Sequence, residues 1–329
     1  MAKKHPKSAC CRAQVIHYGG KRRQCVSCGR TWTVRPKRRG RKRFRAAASI
    51  IDRYLSGSIS SVRSLAKHNN WNRDRAQQIV KRSLVRYVAR HGDDWRSSLP
   101  KNGKLVAIAD AMWHHIGEQR ITVFIILIRP LARNEATIMP PSFWPGHEDG
   151  QGWEYAWQQV PYAYRRRICA LVCDGQRWLI DFGRRQGWVV QRCQFHLLAN
   201  LQMYLGVKDR NRNSRVIKLV RALFSTANQR RSRRILNQLA KIRSMAKSRG
   251  IRRVLSGLET NCADFQNYLR YPKMNLPITT NAAESCIKGI RELMRRCRGF
   301  RSLETLKLWI IGYVSWKKLI RCGGKNQQN

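Results

Sequence analysis

The stretch from Leu171 to Asn200 constrains the fold more than any other part of the chain. A short apolar run, Ile168 to Cys173, stops at Asp174-Gly175, as a buried parallel strand does where it leaves a sheet. A segment suited to a helix of about three turns follows; Trp188 to Val190 is then β-rich and turns at Cys193 to His196 into an apolar-periodic helix start. Strand, helix, strand is a crossover unit and predicts an α/β fold. Ligands in open α/β sheets gather at the carboxyl ends of strands, so Asp174 stands where chemistry is done. Its plainer reading is a turn former before Gly175.

The charge names the partner. Of 329 residues, 67 are Lys or Arg and 18 are Asp or Glu, a formal net charge of +49. A compact fold with that surplus repels itself unless a polyanion neutralises it, so nucleic acid held through its phosphates is expected. A membrane surface is the weaker alternative. Hydrophobic residues make up 43% of the chain, enough to build the cores of two or three domains. The longest apolar run, Ile121 to Ile128, fits one buried strand and no membrane span. The start, Met-Ala-Lys-Lys-His-Pro, lacks the apolar segment of a signal peptide. With 11 cysteines, this predicts a reducing, cytoplasmic setting in which thiols bind metal or pack.

Residues 1–45 contain no acid, yet hold Cys25-Val-Ser-Cys28-Gly, the shape of a zinc knuckle, whose tight turn aims two thiolates at one tetrahedral ion. The upstream pair is irregular: Cys10 and Cys11 are adjacent, with His5 and His17 nearby. Adjacent side chains on an extended strand point opposite ways, so Cys10 alone is expected to join Cys25 and Cys28, and the fourth ligand stays open. A basic arm with spare thiols is the alternative. The run Arg35 to Arg45 suits a tether that tracks phosphates.

Residues 46–97 read as helices: Ala46 to Leu55, a Ser-Gly-Ser-Ile-Ser break, Val62 to His68, and a longer helix capped by Asn72. That last helix carries Arg73, Arg75, Gln78 and Lys81 opposite Ile79, Leu84 and Val88. Short helix, turn, longer basic helix is the helix-turn-helix pattern, in which those four residues face DNA. A plain three-helix packing module is the alternative. His91 to Pro100 reads as a linker.

From residue 100 onward Leu105 to Ile116 reads as a strand, with Arg120 to Ile128 as its hairpin partner. Asp110 lies inside the first strand, where a carboxylate needs a cation, a metal or a water-filled cleft. Pro140 to Gly152 reads as a tryptophan-rich loop, and Trp153 to Arg166 as a helix leading back to the strand that ends at Asp174. Residues 206–276 are helix-prone and strongly basic, an all-helical insertion between the first part of this domain, 100–205, and its last helices, 277–329. Asn281 followed by Glu284 has the spacing of a capping box, the plain account of Glu284. A final apolar helix is expected over Leu303 to Ile320.

Asp110, Asp174 and Glu284 are isolated acids in a basic chain. Together they fit a ribonuclease H-like site, in which hard carboxylate oxygens hold two divalent ions beside a polynucleotide phosphate. Cys193 packs as a small hydrophobe or supplies a zinc ligand with His196; His196 orients this end of its helix or touches the scissile phosphate. Asp181 falls within the helix after the strand, so Asp174 is preferred to it.

The chain resembles bacterial insertion-sequence transposases of the Mutator-like type, which have a DDE site. The resemblance rests on the strand with Asp110, on Val172-Cys-Asp-Gly, on Cys193-Gln-Phe-His196, and on Thr279-Thr-Asn-Ala-Ala-Glu-Ser followed by the basic stretch Arg291 to Arg301. It implies a ribonuclease H-like α/β mixed sheet with a helical insertion, preceded by a zinc-ribbon-like module and a helix-turn-helix domain. It also implies that Asp110, Asp174 and Glu284 bind two Mg2+ or Mn2+ ions for strand cleavage and transfer, and that Arg295 and Arg296 meet DNA. The partners implied are element ends and target DNA, bound by at least a dimer in a bacterial cytoplasm at the nucleoid. A catalytically inactive DNA-binding regulator, a nuclease of the same fold, and an RNA-binding structural protein are the rivals; the last gives Asp110 and Glu284 no role.

Overall fold

The structure is a computed structural model that describes residues 8, 10–19, 22–33, 50–205 and 210–322, with the backbone alone over 210–214. It divides into two units, 1–49 and 50–329. The basic run Arg35 to Arg45, His5 and the start of the helix expected from Ala46 lie outside the described residues.

In the first unit β1 (Val15–His17), β2 (Arg22–Cys25) and β3 (Thr31–Thr33) form an antiparallel sheet in that order. Cys25 is the one buried apolar side chain among its described residues, so packing contributes little to holding it.

The second unit opens with α1 (50–55), α2 (Val62–His68) and α3 (Arg73–His91). Asn72 caps α3 as expected, its Oδ1 accepting from the Arg75 amide at 2.8 Å, and Ser61 does the same for α2, its Oγ accepting from the Ser64 amide at 3.1 Å. The segment after α3 is not a free linker. It forms α4 (Trp95–Ser98), buries Trp95, and ties Asp94 to Lys318 Nζ at 2.6 Å.

The hairpin of β4 (Leu105–Ile116) and β5 (Gln119–Pro130) turns at Gly117, whose φ of +59° suits a residue without Cβ. Then come β6 (Glu135–Ile138), β7 (Ser142–Pro145), α5 (Gly150–Gln158), α6 (Tyr162–Arg165) and β8 (Ile168–Cys173). Two expectations fail here. The tryptophan-rich stretch holds β7, which pairs with β5, and Pro161 splits the helix expected over Trp153 to Arg166 into α5 and α6. The crossover unit is present as β8, α7 (Arg177–Arg185) and β9 (Val189–Arg192), continuing into α8 (Gln194–Leu205).

The insertion comprises α9 (Arg210–Ser225), α10 (Gln229–Met245), α11 (Arg249–Thr260), α12 (Cys262–Phe265) and α13 (Asn267–Arg270), with a core of its own shared with α8. Its return is fastened to the sheet: the buried Gln191 Nε2 donates to Phe265 O at 3.1 Å, and its Oε1 accepts from the Tyr268 amide at 2.9 Å. The chain closes with α14 (Asn281–Cys297), α15 (Leu303–Lys317) and β10 (Leu319–Arg321). The last helix is thus shorter than expected. Lys318, with φ of 49°, turns the chain so that Ile320 enters the sheet beside β6.

The sheet is mixed, in the order β10-β6-β5-β4-β8-β9, with β4 antiparallel to β5 and parallel to β8. Its two faces carry separate cores. Leu105, Ala107 and Ala109 face α5 and α7, whereas Val106, Ile108 and Met112 face α14 and α15. Ile51, Tyr54, Leu65, Val80 and Leu84 belong to this second core, so the boundary expected near residue 97 marks no separate core. The α3–α15 approach is close enough that a Cβ on Gly312 would lie 2.5 Å from Leu84 Cδ1. No helix among the described residues is long and apolar enough to cross a membrane.

Candidate active site

Strand alternation decides where the acids point. Asp110 follows Val106 and Ile108 at two-residue steps, which directs it to the α14 face of the sheet. Asp174 follows Ala170 and Val172 in the same way. The parallel register pairs Ile108 with Val172, two residues before Asp110 and Asp174 respectively, on strands about 4.8 Å apart. β8 ends at Cys173 while β4 continues, which leaves Asp174 at the open end.

Glu284 lies in the first turn of α14, whose apolar side, Ala283, Ile287 and Ile290, packs on this face. The expected capping box does not form. The cap is Thr280, not Asn281, and the buried Thr280 hydroxyl donates to Glu284 Oε1 at 2.8 Å. His196 Nδ1 lies 3.4 Å from that hydroxyl and 3.6 Å from Glu284 Oε1. Cys193 completes the group, its Sγ accepting from the Thr280 amide at 3.3 Å and lying 3.4 Å from the hydroxyl. Cys193, His196 and Glu284 place their ligand atoms within 4.8 Å of one another; Asp110, Asp174 and Glu284 form no such tight set among the described residues. The packing role expected for Cys193 is therefore joined by an accepting one.

These groups feel each other's charge. Burial, together with Asp174 and Glu284, pushes the Asp110 carboxyl from 3.8 up to about 7, against the Ala111 amide that donates to it at 2.8 Å and the nearby His196. The Cys193 sulfur, then Glu284 and Asp174, raise His196 from 6.5 to about 9, although burial opposes this. Asp174 Oδ1 also accepts from the Gln176 amide at 3.0 Å, so the turn-forming and site roles coexist. Asp181 pairs with Arg177, 3.7 Å distant.

Two residues went unnoticed in the sequence. Thr280 gave no signal beyond its place in the Thr-Thr-Asn motif. Glu148, just before α5, accepts from Trp153 Nε1 at 2.9 Å; burial, and then the charge of Asp174, push its carboxyl above the usual carboxylate range. From Asp174 a cleft of about 800 Å3 runs past Arg192, Arg253 and Tyr204 toward the insertion. Gly175 opens its mouth: φ is +112°, and a Cβ there would sit 2.6 Å from the Arg192 guanidinium.

Of the residues expected to meet DNA, Arg73, Arg75, Gln78 and Lys81 are exposed on α3, and Arg295 is exposed on α14. Arg296 is not free for that role. Its guanidinium donates to Tyr54 O at 2.7 Å and Leu55 O at 3.3 Å, satisfying carbonyls at the end of α1.

In the first unit the four thiols of Cys10, Cys11, Cys25 and Cys28 lie within 4.8 Å of one another. The expectation that adjacent cysteines diverge fails because residues 10–12 are a turn. Arg12 (φ 52°) is left-handed, and its amide donates to Ser8 O at 3.0 Å, so strand alternation does not apply. Crowding by Cys28 and Cys10 pushes the Cys11 thiol up to about 12, while the Ser8 hydroxyl and the Cys28 amide draw Cys25 down to about 6. His17 lies exposed on β1, outside the cluster.

No curated protein matches the chain. The family described as "Transposase, Mutator family" matches residues 147–310, a stretch that contains Asp174, Cys193, His196 and Glu284. Through that match the chain belongs to the Mutator family of transposases.

Proposed function

We propose that the protein is a DDE transposase that cuts the ends of an insertion sequence and joins them to target DNA. The observation that carries this reading is the convergence of Asp110, on β4, with Asp174, just past the end of neighbouring β8, and with Glu284, close enough that both charges act on the Asp110 carboxyl. Supporting the ribonuclease H-like assignment, β5 and β6 lie antiparallel on one side of β4, and β8 and β9 parallel on the other. Asp110, Asp174 and Glu284 would hold two Mg2+ or Mn2+ ions, an all-carboxylate set that suits hard cations and that mutual repulsion leaves poised for them. Bound there, such ions supply activation of a water or 3′-hydroxyl and stabilisation of the leaving oxygen. Asp110 would shed its proton to take part, and His196, whose pKa the Cys193 sulfur raises, would meet a phosphate oxygen. α2 and α3 would read the element ends as a helix-turn-helix, and at least two copies would hold a pair of ends together.

The test is DNA carrying the sequences that flank the reading frame, incubated with Mg2+ or Mn2+ and, in parallel, with chelator. Metal-dependent nicking, and joining of pre-cut ends, are expected. Cutting without joining would make the protein a nuclease, and binding with no cutting a regulator.

Thr280 holds both His196 and Glu284. Thr280→Val is expected to slow cleavage about 10–100-fold, the usual effect of losing a group that orients a ligand. It should also lower the alkaline limit of the pH–rate profile; Thr280→Ser should restore both.

The four-thiol cluster would hold structural zinc. At a Zn–S distance of about 2.3 Å tetrahedral sulfurs are roughly 3.8 Å apart, and Cys10 and Cys28 are already at 3.5 Å. Cys11→Ser is expected to abolish zinc retention measured by mass spectrometry, with Cys169→Ser as the control that keeps it. Full zinc retention in Cys11→Ser would remove Cys11 from the ligand set.

A further inference from the structure

A second concentration of unneutralised charge lies away from the carboxylates. A cleft of about 660 Å3 opens between α1–α3 and the turn that joins α14 to α15. Arg63, Arg73 and Lys81 line it from the α2–α3 side, and Arg298 and Arg301 from the turn. Among the described residues none of these five cations has a carboxylate partner. Asp74 and Glu304 sit on the same helices but not in the wall.

The turn is built to hold its arginines outward. Phe300, 8% exposed, anchors it in the core, while Arg298 and Arg301 on either side stay exposed. Arg298 is the C-cap of α14 with φ of 59°, a left-handed position where glycine or asparagine fits more easily. An arginine kept in that conformation is explained by what its side chain does rather than by the backbone.

We propose that this cleft clamps the phosphodiester backbone of duplex DNA between α3 and the α14–α15 turn. A free phosphate would leave most of the five cations unneutralised, whereas a duplex offers a charge about every 1.7 Å of its axis. The proposal rests on the transposase reading and adds a mechanical link to it. α14 carries Glu284 in its first turn and the clamp at its end, about 21 Å away at 1.5 Å per residue, so one helix positions both.

The test uses the full chain with a random-sequence duplex, measuring affinity across a salt series for Arg298→Gly/Arg301→Ala. Glycine suits the left-handed backbone, so the melting temperature should hold. The slope of log affinity against log salt is expected to become shallower by about 1.8, at about 0.9 for each phosphate that is no longer neutralised. The control, Lys101→Ala/Arg166→Ala, removes equal charge beside α6, whose Tyr164 packs on the other face of the sheet, and should keep the wild-type slope. An unchanged slope in the turn variant, or an equal change in the control, overturns the clamp and leaves the transposase reading standing. Failure of the wild-type chain to bind duplex DNA at all would overturn both.

Discussion

Asp174→Asn is expected to lower metal-dependent strand cleavage at least ~10³-fold, a barrier increase of about 4 kcal/mol, while duplex binding stays unchanged. The substitution removes the charge that acts on Asp110 and leaves the turn intact, because an asparagine Oδ1 can still accept from the Gln176 amide now held at 3.0 Å. The residues expected to meet DNA on α3 belong to another part of the unit. Gel-shift and cleavage assays on the same preparation read the two properties separately. Cleavage at the wild-type rate would remove Asp174 from the chemistry and, with it, the convergence of the three acids as the basis of the proposed function.

The second large effect concerns stability. Asp110 holds its proton far more tightly in the fold than in the unfolded chain, up to about 7 from 3.8, chiefly because it is buried and next because Asp174 is near. The folded state therefore carries the extra proton between those values, and stability falls as pH rises through the window. His196 acts in the same sense at higher pH: raised from 6.5 to about 9, its stabilising contribution is complete below 6.5 and is lost as pH climbs through 9. Asp110→Asn removes the first component. In chelator and above pH 7 the variant should be more stable than wild type by up to about 4 kcal/mol, at about 1.4 kcal/mol per tenfold in proton affinity. A gain of roughly 2–4 °C in melting temperature per kcal/mol follows for a unit of this size. Mg2+ or Mn2+ should narrow the gap, because ions that bind only the folded carboxylates stabilise the wild type. Equal melting temperatures above pH 7 would show that the Asp110 carboxylate is not under strain.

The sequence by itself determined the parts governed by local rules. Apolar runs bounded on one side by Asp-Gly or Gly marked β4, β5 and β8, because a buried strand must end where its backbone meets water. Asn72 fixed the start of α3, because a side-chain oxygen there satisfies an orphan amide. The charge of +49 pointed to nucleic acid as the partner, since a polyanion relieves it. The three acids and His196 stood out because charged groups in apolar or motif-like settings need a reason to be there.

Only the tertiary structure decided how those residues meet. That Asp110 and Asp174 come near enough to feel each other's charge depends on the β4–β8 register, which no local pattern encodes. That Thr280, not Asn281, caps α14 and holds Glu284 depends on β9 and α8 bringing Cys193 and His196 against it. The convergence of Cys10 and Cys11 needed a left-handed residue at Arg12, and the capture of Arg296 by the end of α1 needed an interaction across 242 positions of chain. Hydrophobic periodicity reports which face of an element is buried; which other face it is buried against is set by long-range packing, and there the geometry of this site was decided.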